Sequence, residues 1–474
     1  MNDTRTRRLA VLNVVGLSKS VLGLLTPRIG SLARDGALCL IRPAFPAVTC
    51  TAQSNYLTGK PPAGHGIVGN GWFDRSLAEV QFWKQSNALV AAPKVWEDLR
   101  LLRPGLTCAK LFWWYNMYST ADYSITPRPM YPADGRKVFD VYSWPYSIRT
   151  EIKAELGSVP FPTFWGPAAG VKSPQGEPEA ASAWIAASAR WIENRYRPHL
   201  SLVYLPHLDY NLQRFGTKDP RVEDDIRRVD TLVGGLLDFY RERDVEVLVL
   251  SEYGITDVDH PVHLNRLFRS QGWLAIKEEL GLEQLDTGAS QAFAVADHQV
   301  AHVYVKDPQL IPVVRDFLLQ QPGIQEVLGA WEKPSWGIDH PRAGDLVAVA
   351  APRSWFTYYY WNEDALAPDF ARCVDIHRKP GYDPVELFLD PDIPAVKLKI
   401  LLKLLRKKLG FRMLMDVIPL NAGLVRGSHG RRPEDKGDWP VMLSTRAGAF
   451  GGAEEMDSLD VARAIKAGMG ISDP

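Results

Sequence analysis

The stretch from Pro43 to Asp74, PAFPAVTCTAQSNYLTGKPPAGHGIVGNGWFD, constrains this chain more than any other. A short apolar run, Ala44 to Val48, leads into Thr49, and the small and polar residues from Thr51 to Leu57 start a helix. Thr58-Gly59-Lys60-Pro61-Pro62 stops that helix, because proline has no amide hydrogen and restricts the residue before it. His65-Gly66-Ile67, Asn70 and Asp74 follow. A hydroxyl at the start of a helix lies among free amides at the positive end of the helix dipole, where an anion is favoured. That setting suits a nucleophile attacking a phosphate, since negative charge builds up there. The plainer role for Thr49 is a helix cap.

Around this stretch the chain alternates strands and helices. Leu9 to Val15 (LAVLNVV), Leu200 to Pro206 (LSLVYLP) and Val245 to Leu250 (VEVLVL) read as strands, the first of them buried. Ala181 to Tyr196 and Arg221 to Arg243 read as helices, the second long and amphipathic. Ligand sites of open α/β sheets lie beyond the carboxyl ends of such strands. With 474 residues the chain suffices for two or three average domains, or for one large α/β domain with an insertion.

The order of the motifs resembles the alkaline-phosphatase superfamily, in particular its type I phosphodiesterase/nucleotide pyrophosphatase branch. Thr49, Thr58-Gly59, Pro61, His65-Gly66-Ile67 and Asn70 match in order, although Cys50-Thr51-Ala52 stand where Phe-Pro-Asn is common. Asp209 and Gly216 match after the second strand, and Gly427-Ser428-His429-Gly430 matches a closing Gly-Thr-His-Gly. The resemblance implies a three-layer α/β/α sandwich with a small inserted cap: a core of residues 1–255 and 336–474, and an α+β cap of residues 256–335. Within the cap, Val303 to Val305 and Ile324 to Leu328 read as strands and Ile311 to Leu319 as a helix, with Asp345 to Val349 returning to the core sheet. The resemblance further implies that Thr49 is the nucleophile, that Asn70 contacts a non-bridging phosphate oxygen, and that Asp209, Glu252 and His429 are metal ligands.

Three expected ligands are missing. Val15 stands where the branch has a metal-binding Asp, Gln213 where it has a His, and Tyr253 where it has a second His. Asn13 is on the same strand face as Val15 but about 6.6 Å back, too far to take over without a shift. Amide oxygens are poor zinc ligands. The expected cofactor is therefore a divalent metal, zinc by resemblance, as one ion rather than two, or none. His260, His263, Asp375 and His377 are further candidate ligands on predicted loops. The aromatic run Phe112 to Tyr118 offers Trp113, Trp114 and Tyr115 as a substrate wall, with core packing as the equal alternative.

The expected activity is hydrolysis of a small phosphoryl ester, of phosphodiesterase or pyrophosphatase type. The alternative is a degenerate, non-catalytic member that binds a phosphorylated metabolite or a membrane-surface partner. Lys+Arg and Asp+Glu are equal at 55 each, which argues against a nucleic-acid partner. Four scattered cysteines give no zinc-knuckle or redox spacing. The apolar run after Arg8 is too short for a signal sequence or a membrane span, so the expected location is the cytoplasm. Lys397 to Arg412 forms a basic amphipathic helix, expected to dock on the core through Leu398, Leu401, Leu405 and Leu409 rather than to lie on a membrane.

Overall fold

The computed structural model describes residues 7–35, 37–134 and 137–471. Leu9–Val14 sits in a nine-stranded sheet, flanked in parallel by Leu200–Leu205 and Glu246–Leu250. All six residues of Leu9–Val14 and of Leu200–Leu205 are buried. This explains why these runs, Asn13 and Ser201 apart, are apolar without alternation: both sheet faces are covered. Cys108–Leu111 and Tyr123–Pro127 continue the parallel array on one side, and Val141–Trp144 closes that edge antiparallel. On the other side come Val441–Ser444, Ala37–Arg42 and Glu455–Asp457. Helices Pro27–Asp35, Ala180–Tyr196 and Val222–Arg241 pack on one another along one face of the sheet. Thr49–Thr58, Val95–Leu102 and Val461–Gly468 form the opposite layer. The result is the three-layer sandwich expected.

A second lobe holds its own apolar cluster, which includes Val303, Tyr304, Phe356 and Trp361. Its four-stranded sheet runs in the order Ala292–Asp297, Val300–Val305, Leu346–Ala350, Ile324–Leu328. Helix Ile311–Leu319 covers it. Leu346–Ala350 thus differs from expectation: it pairs antiparallel with Val300–Val305 and with Ile324–Leu328 and does not rejoin the core sheet. An all-apolar run fits either buried sheet equally well, so its composition does not say which sheet it joins. The lobe's cluster extends to Val417, Ile418 and Val425, well past residue 335. The tight turn of its first hairpin, at Asp297 to Gln299, carries a positive φ of 61° at His298 and reaches toward the main sheet.

The basic amphipathic helix is present as Val396–Lys408, but turned the other way. Leu398, Leu401, Leu405 and Leu409 are 54%, 61%, 53% and 67% exposed, so the expected docking through these leucines is overturned. Val396 and Ile400 rest on the second lobe instead, and Lys399 and Lys403 both pair with Asp416. Among the described residues no helix is long and apolar enough to cross a membrane.

Candidate active site

The candidate site lies beyond the carboxyl ends of the central strands, and each strand delivers one part of it. Strand Ala37–Arg42 leads through Pro43 to Val48 into the helix Thr49–Thr58. Val48 is extended, with φ −129° and ψ 156°, and occupies the cap position, so Thr49 is the first helical residue rather than the cap. Its hydroxyl lies 3.2 Å from the Tyr253 phenol oxygen. The Cys50 amide donates to Asn70 Oδ1 at 3.0 Å. Asn70 is itself held by Asp297, which accepts from the Asn70 amide at 2.7 Å and from Asn70 Nδ2 at 3.0 Å. Asn70 Nδ2 keeps a second hydrogen beyond its bond to Asp297.

Two further carboxylates complete the floor. Glu252 follows strand Glu246–Leu250 and accepts from Asn13 Nδ2 at 2.6 Å and from Gln53 Nε2 at 2.5 Å, both on Oε1. Its Oε2 completes no hydrogen bond among the described residues, though the Thr49 side chain lies near enough to favour the charged form of the acid. Asn13, too distant to replace a ligand at Val15, has instead become a support for Glu252 from the neighbouring strand. Asp209, in the helix His207–Phe215, accepts from Tyr253 at 3.3 Å on Oδ1 and from Gln213 Nε2 at 2.8 Å on Oδ2. Burial pushes the carboxyls of Asp209 and Asp297 up to about 7 and that of Glu252 up to about 8. Near neutral pH Glu252 thus keeps its proton, while Asp209 and Asp297 divide between the protonated acid and the carboxylate.

Above the floor stand four rings in a row. Tyr253 stacks on His429 at 3.5 Å between centroids, His429 meets His298 at 3.7 Å, and His298 stacks on Tyr382 at 3.6 Å. His429 Nδ1 pairs with the Ala47 carbonyl at 2.8 Å, so Nδ1 carries the hydrogen and Nε2 is an acceptor. That Nε2 and His298 Nδ1 are buried without a partner among the described residues. Burial lowers the imidazole of His429 to about 3 and that of His298 well below its ordinary value. Tyr382 also donates to Gln213 Oε1 at 3.1 Å, tying the row to Asp209. Its loop is anchored by buried Lys379, which pairs with Asp383 at 2.7 Å and Glu386 at 2.8 Å. Trp83 and Trp165 line a small recess beside Tyr382, and Trp114 lies 4.8 Å from Trp83.

The sequence candidates divide. Thr49, Asn70, Asp209, Glu252 and His429 meet at one place. Of the aromatic run, Trp113 is buried in the main core and Tyr115 in a smaller cluster against Cys50, so both are core; Trp114 alone faces the recess through Trp83. His263 stacks on Tyr359 and pairs with Thr357 in the second lobe, where it lines a separate cavity of about 510 Å³. His377 pairs with the Phe82 carbonyl, the Asp375 amide donates to Glu386, and His260 is exposed at the start of a short strand beside Arg353. None of these four shares a hydrogen bond or ring contact with Thr49, Asp209 or His429 among the described residues. Gln53 was not singled out from sequence; the Ala296-Asp297-His298 turn stood out only for its histidine and the Asp375 to Asp383 loop of Tyr382 only for its charge, neither with a role beside Thr49. The available signal was an Asp-His pair at a turn between two apolar runs, AFAVADHQVAHVYV.

A two-zinc centre of the kind the resemblance implies does not fit this donor set. Tyr253 covers one face of the His429 ring, and both Asp209 oxygens are already taken by Tyr253 and Gln213. Glu252 Oε1 is saturated by two amides. No group of three His, Cys, Asp or Glu among the described residues converges on a point where a metal could sit.

The sequence pattern of the family described as type I phosphodiesterase / nucleotide pyrophosphatase matches residues 9–383. The chain belongs to this family. A type I phosphodiesterase relative, an uncharacterized pyrophosphatase/phosphodiesterase of Schizosaccharomyces pombe, is 24% identical over 254 residues, or 51% of this chain. The match spans 42% of that relative's length. Among solved structures, phosphonoacetate hydrolase from Sinorhizobium meliloti, in complex with phosphonoformate, gives a TM-score of 0.61 at 14% identity, covering 98% of this chain and 96% of its own. Murine ectonucleotide pyrophosphatase / phosphodiesterase 5, in complex with AMP, gives 0.58 at 15% identity, covering 99% and 96%. These likenesses establish the alkaline-phosphatase-like fold for this member of the type I phosphodiesterase family.

Proposed function

We propose that this protein hydrolyses a small phosphoryl ester, a phosphodiester or pyrophosphate, through a covalent intermediate on Thr49 and without a two-metal centre. The observation that carries this reading is the line from the Thr49 hydroxyl to the Tyr253 phenol to the Asp209 carboxylate, with spacings of 3.2 and 3.3 Å. Along it the Thr49 proton passes to the Tyr253 oxygen while the Tyr253 proton passes to Asp209 Oδ1. Thr49 Oγ1 then forms a bond to phosphorus, and the bond from phosphorus to the leaving oxygen breaks with its electron pair. The leaving oxygen takes a proton from water. A second water attacks the phosphoryl-threonine and yields its proton to the hydroxide left by the first, while the proton on Asp209 returns through Tyr253 to Thr49 Oγ1 as the bond from phosphorus to that oxygen breaks. General base assistance of this type is worth about 10²–10⁴-fold.

The second Nδ2 hydrogen of Asn70 and the start of the Thr49 helix favour the phosphoryl oxygens. The proton held on Glu252, and the one that Asp297 keeps part of the time, reduce the floor's repulsion of an anion. Trp83, Trp165 and Tyr382 favour a flat or apolar group on the ester. The AMP and phosphonoformate carried by the two similar structures are likewise small phosphorus-containing anions.

A second reading, a non-catalytic binder of a phosphorylated metabolite, is favoured by the hydrogen bonds that already engage both Asp209 oxygens and Glu252 Oε1. Release of nitrophenol from bis(4-nitrophenyl) phosphate separates the two. Thr49→Ala should lower it by more than about 10³-fold, as loss of a nucleophile does elsewhere. Acid quenching should trap phosphorylated Thr49 in the wild type. Turnover that survives Thr49→Ala would remove the covalent route, and no turnover in the wild type would favour the binder.

A further inference from the structure

The helix Val396–Lys408 and the coil after it form an arm on the second lobe. It leaves at Asp390 and returns at Val417, where the Asp390 amide donates to the Val417 carbonyl at 2.8 Å. One narrow side rests on the lobe. Val396 and Ile400 pack there, Lys399 donates to the Asp416 carbonyl at 2.9 Å, and Lys403 pairs with Asp416 Oδ1 at 2.5 Å. The side facing away carries Leu398, Leu401, Leu402, Leu405 and Leu409, all exposed. At the helical turn of about 100° per residue these five fall within an arc of about 100°. Exposed Phe411 and Leu414 extend the same apolar surface into the coil.

The charges around this stripe have one sign. Lys397, Arg406, Lys407, Lys408 and Arg412 are exposed, and none is paired with an acid among the described residues. No Asp or Glu occurs from Ile393 to Met415. By helical position Lys397 and Lys408 flank the leucines on one side and Arg406 on the other. The two lysines that would disturb this arrangement, Lys399 and Lys403, are drawn inward by Asp416, which also fixes the roll of the helix.

We propose that the arm docks this protein onto an anionic lipid surface, with the leucines entering the acyl boundary and Lys397, Arg406, Lys408 and Arg412 among the headgroups. Contiguous exposed leucines mark an interaction surface, and a helix with this division of residues lies in the plane of a membrane interface. Charge selects the occupant. A second copy of the arm laid on the first would bring like cations together with no acid to offset them, whereas an anionic surface matches them. The proposal is independent of the chemistry at Thr49.

The test is flotation of the full chain with phosphatidylcholine vesicles, with and without about 30% phosphatidylglycerol, a surface charge that attracts polybasic segments. The bound fraction should rise about tenfold with the anionic lipid and fall in high salt, where charge is screened. Leu401→Asp with Leu405→Asp, and separately Arg406→Glu with Lys408→Glu, should each return binding to the level of neutral vesicles. Melting temperature should be unchanged in both, because these side chains are exposed, and unchanged melting keeps the result from being ascribed to unfolding. Equal binding to neutral vesicles, or none to either, overturns the proposal. So does sedimentation of the wild type as a dimer that Leu401→Asp dissolves, which would assign the face to a second copy.

Discussion

The Tyr253 ring lies flat on the imidazole of His429, 3.5 Å between centroids and 8° from parallel, while its phenol oxygen sits 3.2 Å from Thr49. One side chain thus covers a histidine face and meets the candidate nucleophile. Replacing Tyr253 by Phe keeps the stack and removes only the oxygen. Hydrolysis of bis(4-nitrophenyl) phosphate should fall by about 10²-fold or more, the worth of a general base, with melting temperature little changed. Activity equal to wild type would show that the phenol is not in the proton path.

The same stack bears on metal content. Protein purified without chelator should hold less than one equivalent of zinc by elemental analysis, since both Asp209 oxygens are engaged and Glu252 Oε1 is saturated by neighbouring donors. Two bound ions per chain would show that Tyr253 and Gln213 swing aside and that these donors are freed.

Stability should peak near pH 6.5. Asp209, Asp297 and Glu252 have pKa values raised to about 7, 7 and 8, so the folded chain binds more protons than the unfolded one above about pH 4. Their contribution is full below the ordinary carboxylate range and is lost as pH rises through 7 to 8. His429 and His65 are lowered to about 3, and His302 and His263 to about 4. Their contribution is present above about pH 6.5 and is lost as pH falls toward 3. Glu252→Gln should flatten the alkaline limb in a series of thermal melts from pH 6.5 to 8.5. An alkaline limb unchanged by that substitution would place the proton elsewhere.

Leu401→Ala and Leu405→Ala should each change stability by no more than about 0.5 kcal/mol, as exposed substitutions do. A buried leucine would cost about 2–5 kcal/mol. Chemical denaturation distinguishes the two, and a large loss would show that the leucines are covered in solution.

These residues also mark where the sequence is informative. The central strands were legible because a strand covered on both faces is mostly apolar without alternation, as Leu9–Val14 and Leu200–Leu205 are apart from Asn13 and Ser201. Thr49, Asn70, Asp209, Glu252 and His429 were legible through motif order, and they converge. Asp297 was not, because it reaches Asn70 across 227 residues from a hairpin of another lobe. Nothing local to either residue announces that meeting. The helix at Val396–Lys408 was recognised and its roll misjudged. Periodicity separates an apolar from a basic face but does not say which one the protein covers. Asp416, outside the helix, settled it by drawing two lysines inward.

The neck of that arm has a structural consequence. Asp390 and Val417 are joined by a backbone hydrogen bond, and both are buried in the lobe. The chain therefore leaves and re-enters at one place, as an insertion does. Closing a shorter loop between these two points costs less entropy than closing the present one. A chain in which residues 392–415 give way to a short glycine-serine bridge should fold as this one does. The arm is thus a removable part, able to be lost, lengthened or exchanged without any demand on the sheet or on the residues around Thr49.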